Sequence, residues 1–422
     1  MTYRLGLDFA QTQDRDDPLA RLRAEFHLPK QANGADEIYF CGNSLGLQPQ
    51  RAQAYVIEEL EKWRQLGVRG HFESRYPWMP YHEFLTAETA GLAGAEPREV
   101  VTMNSLTVNL HLMMASFYRP SAERHKILIE KNAFPSDHYA VESQLRFHGF
   151  DPARSLLLAT PRPGEDCLRL EDIADLMERE GATVALILLP GVQYYTGQVL
   201  DMAEIVRLGH RQGCVAGFDL AHAAGNIPLR LHEWGCDFAC WCSYKYLNAG
   251  PGSVAGCFVH ERHAKRFDLP RLKGWWGHDK LTRFQMGTEF RPISGAEGWQ
   301  LSNPPILSLA AMRASLAVFS EAGGMGPLRK KSEALTGYLE FLLQAMLAGD
   351  IEIITPRDPS RRGCQLSLQI KTRQGKTVFE KITAAGVTCD WREPDVIRVA
   401  PVPLYNRFEE VYRFVEILRK HI

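Results

Sequence analysis

The chain has 422 residues, 45% hydrophobic and 23% charged, which suits two or three packed domains with a large core. Its 49 Lys and Arg against 50 Asp and Glu leave a formal net charge of −1, so it lacks both the basic footprint of a nucleic-acid binder and a polybasic membrane patch. No apolar run approaches the roughly 18 residues of a membrane span, no apolar signal core precedes the acidic residues of the N-terminus, and nine scattered cysteines suit a reducing compartment, so a cytoplasmic protein is expected.

In chain order, the first forty residues show little periodicity until the apolar run Ile38-Tyr39-Phe40. Cys41-Gly42-Asn43-Ser44-Leu45-Gly46 stops it with a tight turn whose backbone can approach a ligand, although a plain turn fits equally well. Pro49 opens a helix through about Leu66, and Gly67 ends it. Arg69 to Phe72 and Tyr76-Pro77-Trp78 read as loop. Asn104-Ser105-Leu106-Thr107 starts a helix that continues as VNLHLMMASF; such a start offers free N–H groups to a phosphate, and equally an ordinary cap.

Strand Lys126–Glu130 leads to Phe134-Pro135-Ser136-Asp137. Helix Leu170–Glu180 precedes strand Val184–Leu189, closed by Pro190-Gly191, and helix Met202–Gln212 follows. Strand Val215–Leu220 carries Asp219, with His222 just beyond; strand Asp237–Cys242 runs into Ser243-Tyr244-Lys245. Cys236, Cys240 and Cys242 lie near His232, but Cys240-x-Cys242 matches one face of a strand and no second spaced pair completes a metal set. Buried thiols and no metal are expected. Asn248 to Gly252 form a turn into strand Val254–His260, and Trp275-Trp276-Gly277 and Ser302-Asn303-Pro304-Pro305 read as loop.

Helix Ile306–Glu321 leads away from this region. Beyond Gly326 come helix Leu328–Leu347, strands Ile351–Ile354 and Gln365–Ile370, helix Thr377–Ala385, strand Val396–Val399 and a terminal helix. Alternating strands and helices predict an α/β fold, a doubly wound, mostly parallel sheet over residues 49–305. A smaller α+β domain over residues 306–422 is joined by the N-terminal segment 1–48. Active groups then belong beyond the carboxyl ends of strands, where Phe134 to Asp137, Gly191, Asp219 and Lys245 fall. No GxGxxG or Walker motif assigns this architecture to a nucleotide.

A buried carboxylate and a buried lysine at the ends of neighbouring strands cost desolvation energy unless something lies between them. An ordinary Asp–Lys pair is one solution. Pyridoxal phosphate is another, because its aldehyde condenses with a lysine amine and its protonated ring nitrogen needs an acidic partner.

The blocks YFCGNSLGLQP, NSLTVNLHLMM, FPSDHYAVESQL, GVQYYTGQ, GFDLAHAAGN, DFACWCSYKYLNAGPG, GWWGH, LSNPPI and RVAPVPLYN span nearly the whole chain and together resemble the kynureninases. These are fold-type-I pyridoxal phosphate enzymes of the aminotransferase superfamily. The resemblance implies that Lys245 is the lysine bonded to the cofactor, that Asp219 pairs with its ring nitrogen and that His222 supports Asp219. It implies that Phe134 stacks on the ring beside Pro135, Ser136 and Asp137, while Leu106, Thr107 and the Tyr244 hydroxyl hold the phosphate. It further implies a homodimer in which Trp275 and Asn303 line the site from the partner subunit, and a substrate carboxylate clamped by Arg398. Asn43 and Ser44 join the substrate side. Pro190 departs from the pattern, since relatives often carry Ser or Thr there.

The implied reaction is β,γ-hydrolysis of a kynurenine to an anthranilate and L-alanine, in tryptophan catabolism, with Lys245 as base, Asp219 supporting the ring and Tyr244 as proton donor. The polar trio His71, Ser302 and Asn303 resembles members that favour 3-hydroxykynurenine. A cysteine desulfurase or related aminotransferase is the rival enzyme class; desulfurases usually carry His beside the lysine and a mobile Cys, where this chain has Tyr244 and no such cysteine. A non-catalytic module on the same fold would tolerate loss of the lysine, aspartate and arginine, and all three are present.

Overall fold

The computed structural model describes residues 2–371 and 374–422. A short strand β1 (Ile38–Tyr39) precedes the helix Ala52–Leu66. The central sheet then collects β2 (Val100–Thr102), β3 (Lys126–Glu130), β4 (Leu156–Ala159), β5 (Val184–Pro190), β6 (Val215–Asp219), β7 (Phe238–Trp241) and β8 (Gly256–Val259). Their order is β2-β8-β7-β6-β5-β3-β4. The run from β7 to β4 is parallel, and β8 is antiparallel to both of its neighbours. This is the mostly parallel α/β sheet expected from the alternation of elements.

Strand β5 reads VALILLP, an unbroken apolar run, because helices cover both faces of the sheet. Alternate residues serve opposite cores: Ile187, Leu189, Phe218 and Trp241 pack on one side, and Leu186, Leu188, Phe238 and Cys240 on the other. Between β7 and β8 no helix provides a crossover, so the chain returns antiparallel.

Several elements escape a periodicity reading, among them the helices Leu7–Asp16 and Thr86–Ala93. Edge strand β2 has only three residues, edge strand β4 is half exposed, and the helix Pro135–Phe147 starts at a proline beside the stretch read as a strand-end wall. Pro135 is its first residue, where the missing N–H costs nothing.

The C-terminal part is built on an antiparallel sheet of β9 (Ile351–Ile353), β10 (Leu366–Ile370), β12 (Asp390–Arg392) and β13 (Val396–Val399), in the order β12-β13-β10-β9. The helices Met325–Leu347 and Phe408–His421 share a core with it through Leu339, Leu366, Ile397 and Phe414. The N-terminal segment joins this part: β1 pairs in parallel with β11 (Val387–Thr388), and Phe40 lies edge-on to Phe414 at 5.6 Å. This pairing carries the following turn, Asn43-Ser44, towards the ends of the central strands. Among the described residues, no single helix is long and apolar enough to cross a membrane.

Candidate active site

Two adjacent parallel strands bring the principal pair together. Strand β6 ends at Asp219, in register with Cys240 of β7, and beyond the end of β7 at Trp241 a bend through Ser243 and Tyr244 brings the chain to Lys245. They open on a cavity of about 290 Å³ whose wall also includes Asn43, Ser44, Leu106, Thr107, Phe134, Ser136 and Asp137, together with His222, Tyr244 and Arg398. A larger groove of about 730 Å³, bordered by Arg169, Asp201 and Arg361, holds none of these groups. Chemistry, not size, identifies the smaller one as the candidate site.

Asp219 is buried, and its Oδ1 accepts the Ala221 N–H at 2.7 Å. Burial raises its pKa, against that N–H and the positive charge of Lys245. Asp137, equally enclosed, is pushed much further up by burial and then by the Asp219 charge.

His222 Nε2 lies 3.0 Å from Lys245 Nζ. Burial, followed by the charges of Lys245, Arg398 and Arg392, holds the ring well below its ordinary pKa, so it is neutral. Accepting from the Lys245 amine at Nε2 leaves the proton on Nδ1, which is buried without a partner. His222 thus contacts Lys245, and no hydrogen bond between its side chain and Asp219 is present among the described residues. The Lys245 amine also lies 5.9 Å from the Phe134 ring centre and 5.8 Å from that of Tyr244. Phe134 remains 46% exposed, an apolar face left open to the cavity. Burial raises the Tyr244 phenol pKa, so it stays protonated and can donate.

The helices Leu106–Phe117 and Pro135–Phe147 both begin at this cavity, and neither has a side-chain cap. In the first the N–H groups of Leu106 and Thr107 have no partner among the described residues; in the second Pro135 has no N–H and Asp137 donates to the Phe134 carbonyl at 2.9 Å, which leaves Ser136, and Thr107 Oγ1 meets Ser136 Oγ at 3.1 Å between them. Uncapped starts with bridging hydroxyls suit a phosphate. Pro190, the last residue of β5, pairs with Asp219 in the ladder and brings only ring carbons to the wall.

At another part of the wall Arg398 is 1% exposed. Its Nη1 donates to the Tyr194 carbonyl at 2.7 Å, and its Nη2 donates to Asp390 and, at 3.5 Å, to Ser44 Oγ. Asn43 donates at 3.0 Å to Gln365 Oε1.

Five expected residues, His71, Pro135, Trp275, Ser302 and Asn303, lie outside this cavity. Trp275 is half exposed, with its indole N–H on the Arg283 carbonyl at 3.2 Å; Ser302 and Asn303 are exposed. His71 holds the Val68 carbonyl through Nδ1 at 3.0 Å and stands edge-on to Trp78. Pro135 is structural in position, opening its helix. Conversely, the cavity includes Glu130, Val192, Tyr194 and Arg392, which sequence reasoning passed over. Glu130 ends β3 as Asp219 ends β6, and burial pushes its pKa up to about 7. Strand-end position was an available signal for it.

Residues 328–418 match the family model described as the kynureninase C-terminal domain. The kynureninase of Koribacter versatilis (strain Ellin345) is 60% identical over 97% of this chain and 96% of its own. That of Myxococcus xanthus (strain DK1622) is 57% identical over 98% of this chain and 96% of its own. Among solved structures, a C-DES mutant with glycine covalently linked to the PLP cofactor superposes with a TM-score of 0.78, at 17% identity over 95% of this chain and 99% of that one. The apo cysteine desulfurase from Thermococcus onnurineus NA1 gives 0.75, at 17% identity over 99% of this chain and 98% of that one. At such identity the two structures establish the fold alone. The relatives, more than half identical from end to end, establish more: the chain belongs to the kynureninase family.

Proposed function

We propose that the protein is a pyridoxal phosphate-dependent hydrolase that cleaves the β,γ bond of L-kynurenine or 3-hydroxy-L-kynurenine, releasing the anthranilate and L-alanine, in tryptophan catabolism. One observation carries the reading: Asp219 and Lys245 end adjacent strands in a single cavity that has two uncapped helix starts and a buried arginine in its wall. The residues fit the cofactor. Leu106, Thr107, Ser136 and the Tyr244 hydroxyl would hold its phosphate, Phe134 would cover its ring, Asp219 would face the ring nitrogen and Lys245 would meet its aldehyde. Bound there, the cofactor supplies an electron sink for a carbanion at the substrate α-carbon.

The chain's own residues do the rest. Arg398 takes the substrate carboxylate and orients the amino acid in the cavity. Lys245, released by the substrate amine, removes the α-proton at Nζ; neutral His222 accepts from Nζ and adds no competing charge. The Ala221 N–H and the charge of Lys245 favour the ionised form of Asp219 against its burial. Tyr244, kept protonated by burial, can donate at its hydroxyl as the bond breaks.

The desulfurase alternative needs a nucleophilic thiol, and among the described residues no cysteine lines the cavity. All nine cysteines are unpaired, which supports a reducing, cytoplasmic setting. A homodimer completes the reading. The residues Ile57, Leu60 and Trp63 of the helix Ala52–Leu66, and Trp275, Leu281 and Phe284, are exposed and apolar. Such a surface suits a second copy, which would bring Trp275, Ser302, Asn303 and His71 to the neighbouring site. That polar trio supports preference for the 3-hydroxy substrate. The direct test is absorbance of the purified protein for lysine-bound cofactor, followed by fluorescence of anthranilate released from kynurenine. Absence of either signal rejects the proposal.

A further inference from the structure

The cavity wall carries two guanidinium groups, Arg398 and Arg392, where one substrate carboxylate needs only one fork. Their placement follows from the ladder. Asp390 of β12 lies directly across from Arg398 of β13, and Arg392 follows two residues after Asp390, so all three side chains leave the sheet on one face. Trp391 and Ile397, between them in sequence, turn to the core on the other face.

Two cations side by side in a mostly enclosed wall repel unless a counter-charge is shared. Asp390 provides it through a single oxygen. Its Oδ2 accepts from Ser44 Oγ at 2.5 Å, from Arg392 Nη2 at 3.0 Å and from Arg398 Nη2. Asp390 itself is not among the residues lining the cavity, so the arginines face inward with their counter-charge behind them. The charge reaching the cavity is net positive, two guanidinium groups against one carboxylate. Both arginines contribute to keeping His222 neutral, so both lie within electrostatic reach of the reacting end. Their donors are also incompletely used. Arg398 spends Nη1 on Tyr194 and Nη2 on Asp390 and Ser44, while the Nε–H groups of both arginines are buried without a partner. What both arginines present to the cavity is therefore charge and the outer edge of the guanidinium, as their place in its wall shows.

We propose that Arg392 is a second carboxylate-reading residue of this site, and that Asp390 is the positioning residue that fuses the two arginines into one clamp. The substrate carboxylate then meets donors from two guanidinium planes. A ligand without that charge gains nothing from the second arginine.

The inference rests on the amino-acid site proposed above, whose failure would show separately as no release of anthranilate from kynurenine by the unaltered protein. Its own test is binding. The holoenzyme is titrated calorimetrically with L-alanine, the product that keeps the carboxylate, and with L-alaninamide, which lacks it. Arg392→Gln should weaken alanine binding about tenfold, the equivalent of about 1.4 kcal/mol, and leave alaninamide binding within about twofold. Arg392→Lys, which keeps the charge and loses the fork, should lose part of the affinity for alanine alone. In an Asp390→Asn background, Arg392→Gln should add less than about a twofold further loss, because the clamp is already dismantled. Unchanged alanine affinity in Arg392→Gln, or equal losses for alanine and its amide, would overturn the carboxylate role. A full tenfold loss in both backgrounds would overturn the positioning role of Asp390.

Discussion

At the scale of single residues, the site separates into groups that touch the chemistry and groups that hold charge in place. In the proposed mechanism Lys245 is the first kind: Lys245→Ala would remove covalent anchor and base together, so turnover should vanish while far-UV circular dichroism stays native. Any turnover near that of the unaltered protein defeats the assignment. Asp219→Ala should lose most activity with weakened cofactor retention, because the carboxylate proposed to face the ring nitrogen is gone. The proposed substrate preference would rest on the polar groups His71, Ser302 and Asn303. His71→Trp combined with Asn303→Thr should reduce a higher kcat/KM for 3-hydroxykynurenine, since a ring hydroxyl pairs with polar groups that unsubstituted kynurenine leaves empty. Equal efficiencies in the unaltered protein would show that these residues do not read the hydroxyl.

Which of these residues could be found from sequence follows from where they sit. Asp219 and Lys245 end apolar strands, where charge is conspicuous, and Phe134 to Asp137 follow another. Tyr194, Asp390 and Arg392 belong to the site only because β13 and β12 turn a particular face towards the central sheet. No local pattern encodes that docking. The contact of His222 with Lys245 rather than Asp219 is likewise a matter of rotamer, invisible to spacing.

At the scale of elements, the register of β6 against β7 decides whether the principal pair meets. It is held at the opposite end of these strands by Asp237, whose Oδ2 accepts the Ala216 N–H at 2.8 Å and meets His210 Nε2 at 2.9 Å. Its Oδ1 accepts from Arg262 Nη2 at 2.7 Å and meets His263 Nε2 at 2.8 Å. Burial alone would raise this carboxyl, but His210, His263 and Arg262 hold it well below its ordinary pKa. A folded-state pKa below the unfolded one stabilises at pH above the unfolded value, about 4, and that stability fades as pH falls further. Asp237→Asn should therefore lower the urea midpoint at pH 7 and flatten its decline in acid. A variant that keeps the acid limb of the parent would show that Asp237 does not govern it. Gly217 protects the same register by absence, since a Cβ there would lie 2.1 Å from the Phe238 ring. Edge strands β2 and β4 bear less of this burden, and their short or half-exposed sequences carry correspondingly little signal.

At the scale of the whole molecule, one chain does not bring all the expected groups to one cavity. Lys245, Asp219 and Arg398 line it, whereas Trp275 and Asn303 lie on the exposed surface. Two copies related by a two-fold axis would reconcile the arrangement, each lending its surface residues to the other's cavity. Mixing inactive variants tests this directly. Lys245→Ala lacks the lysine in both sites of its homodimer, and the double variant Trp275→Ala with Asn303→Ala lacks the lent residues in both of its own. In a mixed dimer, one site takes its lysine from the double variant and its lent residues from the Lys245→Ala chain, and is therefore intact; the other is doubly defective. Random reassortment makes about half the dimers mixed, so activity should return to about a quarter of the unaltered level after co-refolding. If each chain instead completed its own site, no mixture of the two variants would exceed the sum of its parts.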